Sequence, residues 1–156
     1  MAGDAPPERE QIPADPTLEK LRSFKADNVF VGPDNRADVE HGFAAMRDFP
    51  AQVRPEGDEP IAATSHHLLA VCRELRISHL IYTGFAINWC LLLSPGGMAD
   101  LSRHGVMCST IRQAVTAVEN KETARKERCK EIALWRVALA FGFVYDLEDF
   151  LGALSR

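Results

Sequence analysis

Cys90 closes the run Gly84-Phe85-Ala86-Ile87-Asn88-Trp89-Cys90, where the apolar segment His79 to Thr83 gives way to a turn and then to Leu91-Leu92-Leu93. A thiol on the first turn of a helix faces unpaired backbone N–H groups and the positive end of the helix dipole, and both favour the thiolate. The chemistry this offers is nucleophilic attack, which needs a base. His66 and His67 are candidates, since a Cys and His pair activates a thiol; two polar residues in a first helical turn are otherwise simply solvated. His66 and His67 with Asp34 or Asp58 lack any HxH, HExxH or CxxC spacing, so neither a metal nor another cofactor is expected. Asn88 either caps the helix or meets a substrate, and Trp89 either walls a pocket or packs in an interface.

The elements that must hold these residues follow from the pattern. Residues 1–17 are rich in proline and acid with almost nothing apolar, and read as a disordered tail. The rest, 18–156, reads as a single domain. Asn28 to Val31 suggests a short strand closed by the turn Gly32-Pro33-Asp34-Asn35. Val39, Phe43 and Met46 fall at helical spacing within Asp38 to Asp48, ahead of Phe49-Pro50. Ile61-Ala62-Ala63 suggests another short strand before Thr64 or Ser65 caps a helix carrying Leu68, Leu69, Val71, Cys72 and Leu75. Then come a strand over 79–83, a helix from about Asn88 to Ser102, and a strand Val106 to Thr110. Ser94-Pro95-Gly96-Gly97 interrupts that helix, because proline lacks the N–H and glycine weakens a helix. A helix from about Glu122 to Phe141 has a charged first half and an apolar second half, whose end should be buried. Gly142 stops it, Phe143-Val144-Tyr145 gives a last strand, and an amphipathic turn passes through Phe150 and Leu151. Such alternation implies an α/β fold with a mainly parallel sheet covered on both faces, a three-layer α/β/α architecture whose site lies at the carboxyl ends of the strands.

Composition narrows the function classes. A net charge of -4 without a basic stripe argues against a nucleic-acid partner. No run approaches the ~20 apolar residues of a membrane span, and the first residues lack the basic and apolar regions of a signal peptide, so no membrane association is expected and a cytoplasmic location is. The four cysteines, Cys72, Cys90, Cys108 and Cys129, are widely spaced without a CxxC pair, and read as reduced thiols.

Leu75-Arg76-Ile77-Ser78-His79-Leu80-Ile81-Tyr82-Thr83 followed by Gly84 to Cys90 resembles the signature of the isochorismatase-like cysteine hydrolases: strand, Gly, an apolar residue, Ala, a few variable residues, then Cys. Arg103-His104-Gly105 before a strand, a long helix, and Phe143-Val144 leading into an acidic turn also follow the family order. The resemblance covers roughly residues 60 to 154. It implies a three-layer fold, here shortened at its N-terminus, and hydrolysis of a small amide, imide or ureido C–N bond. Cys90 would be the nucleophile, the N–H groups of Ala86 and Cys90 would line an oxyanion hole, and Phe85 to Ala86 would be a cis peptide. The partners implied are a small-molecule substrate and further copies of the chain in a homo-oligomer.

Two positions depart from the family pattern. The general-base Asp has its nearest equivalent in Asp34, which follows Gly32-Pro33, lacks a Gln two residues on, and also reads as a turn aspartate. The family Lys has no counterpart, because the chain holds no Lys between Lys25 and Lys121. The alternative implied is a catalytically inactive relative serving binding or oligomerisation.

Overall fold

In the computed structural model, residues 13, 15–29 and 32–155 are described. They fall in two compact units, the described parts of Ala5–Glu59 and of Pro60–Arg156, where the sequence suggests one domain. In the first unit, α1 (Pro16–Asn28) starts with Pro16 at its first position and Asp15 Oδ1 accepting the Leu18 N–H at 2.9 Å. Pro16 and Thr17, the end of the expected tail, are therefore helical; most of that tail lies outside the described residues. The helix α2 (Gly32–Ala45) meets α1 through Arg36, whose guanidinium donates to Asp27 at 2.5 Å.

The strand expected at 28–31 is corrected here. Asn28 is the last residue of α1 and Val29 follows as its cap, while Phe30 and Val31 lie outside the described residues. Gly32-Pro33-Asp34-Asn35 opens α2 instead of forming a turn, since a proline with φ near –65° suits a first helical turn as well as a β-turn. Asp34 thus sits on helical backbone and ends no strand.

The second unit begins with an irregular segment. Ile61-Ala62-Ala63 forms no strand, because so short an apolar run finds no neighbour to complete a ladder. Thr64 then caps α3 (Ser65–Glu74), accepting the His67 N–H. Next come β1 (His79–Gly84), α4 (Cys90–Leu93), α5 (Met98–Leu101), β2 (Met107–Val115), α6 (Arg128–Ala140), β3 (Val144–Tyr145) and α7 (Leu147–Leu154). The three strands form a parallel sheet in the order β1-β2-β3, with His79 opposite Met107, Tyr82 opposite Thr110, and Thr110 opposite Val144.

One face of the sheet carries Leu80, Tyr82, Cys108 and Val144, which pack with Leu69 of α3, Leu92 of α4, Met98 and Leu101 of α5, and Ala133, Leu134 and Val137 of α6. Each large apolar side chain fully buried there contributes about 1.5–3 kcal/mol. On the other face α7 is docked through Gln113, which donates to Asp146 Oδ2 (2.6 Å) and accepts the Leu147 N–H (3.0 Å). His79, Ile81, Met107 and Phe143 remain exposed, so the second helical layer covers that face only in part.

Two helices are shorter than their patterns suggest. The span from Asn88 to Ser102 holds α4 and α5 as separate turns, because Ser94-Pro95-Gly96-Gly97 leaves the helix. A Cβ on Gly97 would stand 2.8 Å from the Ser94 carbonyl oxygen, a contact only glycine accepts. The other helix starts at Arg128 rather than near Glu122, since Glu127 turns left-handed (φ 46°) after a 3-10 turn at Ala124–Lys126. It is not buried all round: Ala133, Leu134 and Val137 face the core, but Ile132, Trp135 and Leu139 are exposed. Gly142 ends it where a Cβ would lie 2.6 Å from the Cys108 carbonyl oxygen and from Ser109 Oγ.

Candidate active site

The turn that presents Cys90 is stitched to the segment leaving β2. Thr116 N–H donates to the Gly84 carbonyl (3.2 Å), and Ile87 N–H donates back to the Thr116 carbonyl (2.8 Å). Asn88 then uses its whole carboxamide on Val118, donating to its carbonyl and accepting its N–H, each at 2.9 Å. Ile87 and Ala86 are fully buried and fix the turn from within. The Phe85–Ala86 peptide is cis. Asn88 therefore does not cap α4: Trp89 occupies the cap position and no side chain bonds there.

Cys90 is exposed, and among the described residues its thiol makes no hydrogen bond. Its helix is a single turn, held by Leu93 N–H to the Trp89 carbonyl (2.7 Å) and Ser94 N–H to the Cys90 carbonyl (3.1 Å). So short a helix sums few peptide dipoles, which removes most of the macrodipole argument for the thiolate. What remains is local. Leu91 and Trp89 donate to the Ala86 carbonyl, whereas the N–H groups of Ala86 and Cys90 meet no acceptor among the described residues. Phe85, Trp89 and Leu93, close to Cys90 in sequence, are 63%, 57% and 61% exposed, so the segment that carries the thiol presents apolar surface to solvent.

The turn beyond α4 carries a polar cluster the sequence did not flag. Ser65 Oγ donates to Asp100 Oδ2 and accepts the Gly96 N–H (2.8 Å), which also reaches Asp100 (3.1 Å). Tyr82 O–H closes the group by donating to the Gly96 carbonyl (2.8 Å). The Ser65 hydroxyl, then the Gly96 N–H, hold the Asp100 carboxyl below its ordinary range. Burial, with Cys108 beside it, pushes the Tyr82 phenol up. Ser65 so pins the start of α3, with His66 and His67 next in line, to the turn that follows Cys90. Neither imidazole hydrogen-bonds to Cys90 or to any other group among the described residues; His66 is half-buried and His67 exposed.

Other polar contacts are structural. His79 Nε2 and Ser109 Oγ lie 2.6 Å apart, and the same Ser109 oxygen accepts the Phe143 N–H at 2.8 Å. Ser109 is fully buried, which makes it a stitch across the three strands and not a nucleophile. Glu119 accepts the N–H groups of Cys129 (3.1 Å) and Lys130 (3.0 Å), supplying from the β2–α6 loop the cap that α6 lacks in its own flanking residue. Burial works to raise the Glu119 carboxyl, but the Thr123 hydroxyl and the Lys130 and Cys129 donors together hold it at about 2.

Asp34 belongs to the other unit. No group of three or more His, Cys, Asp or Glu gathers among the described residues, and no helix among them is long and apolar enough to cross a membrane. Comparison of the chain with protein-family models, with curated proteins and with solved structures gave no match.

Proposed function

We propose that this chain is a cysteine hydrolase of the isochorismatase-like kind, cleaving a small amide, imide or ureido C–N bond through Cys90. One observation carries the reading: an exposed thiol at the carboxyl end of a parallel strand, next to two backbone N–H groups that no acceptor among the described residues uses. Carboxyl ends of parallel strands are where α/β proteins assemble their chemistry. Ala86 is fully buried, and a buried N–H without a partner costs free energy that an oxyanion would offset.

In the reaction the Cys90 sulfur attacks the carbonyl carbon, and the Ala86 and Cys90 N–H groups receive the oxyanion. Collapse breaks the C–N bond, and the nitrogen leaves with the proton the thiol gave up. Water then splits the thioester, yielding the acid and the free thiol. His66 and His67, on the helix that Ser65 ties to the turn after α4, are the candidates for moving that proton. The Asn88–Val118 clamp and the buried Ile87 hold the turn; Trp89 and Phe85 border the substrate.

A second reading, a catalytically inactive relative that binds or associates, draws on a different observation. The Cys90 thiol has no hydrogen-bonded base among the described residues, and its rim of Phe85, Trp89 and Leu93 is apolar and uncovered, as a surface that pairs with another copy would be. Ammonia release from nicotinamide-like, N-carbamoyl and biuret-like compounds separates the two. Turnover that disappears in Cys90→Ser supports the hydrolase. No turnover across the panel from a folded protein, with concentration-dependent self-association lost in Trp89→Ala, supports the binding module.

A further inference from the structure

We propose that a cavity at the opposite end of the sheet from Cys90 binds a small organic anion, a phosphate or carboxylate carried on an apolar body. The cavity measures about 380 Å³, in the range of small-molecule sites. It opens between the α3–β1 turn and the turn before β2, with Ser78 just ahead of β1 and Val106 just ahead of β2. Cys90, by contrast, follows the carboxyl end of β1. Leu69 and Val106 give it an apolar wall, and Arg73 and Arg76, with the His104 imidazole beside them, give it a cationic one.

Among the described residues no carboxylate lines it. Among the described residues neither Arg73 nor Arg76 forms an ion pair, although the guanidinium groups of Arg36, Arg54 and Arg112 all find carboxylates elsewhere. Glu74 is the sequence neighbour of Arg73 and does not line the cavity, and Asp100, which acts on His104 across space, is already held by Ser65 and Gly96. Like charges on a concave, partly apolar wall focus a positive field, and guanidinium forks match the oxygens of phosphate or carboxylate.

The backbone adds an independent point. The helix α3 ends in a Schellman motif: Ile77 N–H donates to the Cys72 carbonyl (2.7 Å) and Arg76 N–H to the Arg73 carbonyl (3.3 Å). Arg76 occupies the left-handed position of that motif at φ 54°, where glycine is the usual residue and any side chain is strained. The motif uses the Cys72 and Arg73 carbonyls internally. A position that glycine would serve better for folding holds instead one of the cations that line the cavity, the pattern of strain kept at ligand clamps.

Calorimetric titration with phenyl phosphate, benzoate and the neutral benzyl alcohol tests this in the full chain and in Arg76→Gly, Arg73→Gln and Cys90→Ser. The expected result is saturable binding of at least one anion, weakened by about tenfold or more in each arginine variant and unchanged in Cys90→Ser, with no binding of benzyl alcohol. Phenyl phosphate against benzoate decides between the phosphate and the carboxylate. Arg76→Gly should melt no lower than the parent, because glycine relieves the positive φ; a purely structural Arg76 would lower the melting temperature and leave affinity alone. Absence of saturation by both anions, equal binding of benzyl alcohol, or unchanged affinity in Arg73→Gln overturns the proposal.

Discussion

The Asn88 carboxamide and the Val118 main chain exchange two hydrogen bonds, both at 2.9 Å, and this pair sets the attitude of the turn on which Cys90 stands. A side-chain amide that donates to a carbonyl and accepts from the same residue's N–H imitates a strand partner, so the turn is locked to the segment after β2 without a ladder of its own. Asn88→Ala removes both bonds and should cost about 1–2 kcal/mol in urea unfolding. Asn88→Asp keeps the acceptor and loses the donor, and should fall between the two. Equal stability of parent and Ala variant would remove the clamp from the account.

Tyr82 joins β1 to the turn beyond α4 through its bond to the Gly96 carbonyl. Tyr82→Phe keeps the packing and deletes this bond, with an expected loss of about 1 kcal/mol on chemical denaturation. An unchanged unfolding midpoint would show that Gly96 is held by Ser65 and Asp100 alone.

Gly142 lies against β2 with no room for a methyl group, 2.6 Å separating an added Cβ from the Cys108 oxygen. Gly142→Ala must move β2 or the end of α6, at an expected cost of about 1–3 kcal/mol. Thermal unfolding of the variant measures it, and a melting temperature equal to the parent's contradicts the contact.

Glu119 ties stability to acid pH. Its carboxyl titrates at about 2 in the folded chain, below the ordinary 4.5, so between these values the unfolded state binds the extra proton. The stability this residue contributes is complete above the ordinary value and is lost as pH falls toward 2. Glu119→Gln should therefore lower the melting temperature at pH 7 and flatten its decline between pH 5 and pH 2 relative to the parent. Parallel melting curves across that range would show that the carboxylate does not cap α6.

The legible parts of this chain were local. The apolar run from His79 to Thr83 followed by glycine marks a strand and a turn because both signals sit in adjacent residues, and the same local signal narrows the cap of α3 to Thr64 or Ser65, of which Thr64 takes the role. Gly32-Pro33 misleads because proline presets a φ shared by turns and helix starts, so an apolar run before it reads as a strand when α1 is in fact ending there. The length of the helix after Cys90 is misjudged for a related reason: apolar spacing continues through Met98 and Leu101, while the chain leaves the helix at Ser94 and re-enters it at Met98. The partners of the site are set by tertiary approach. Nothing local to Asn88 indicates Val118, nothing near Ser65 indicates Asp100, and nothing near Glu119 indicates the N–H groups of Cys129 and Lys130.

The claim that Cys90 is a nucleophile is tested most directly by its own reactivity. Iodoacetamide labelling at pH 7, followed by peptide mass spectrometry, gives the rate at Cys90 beside that of a cysteine in an unstructured peptide, with Cys90→Ser confirming the assignment. A thiol activated as the nucleophile labels faster at Cys90 than in the unstructured peptide. A rate equal to or below that of the peptide contradicts the account, since exposure alone would then explain everything the thiol does.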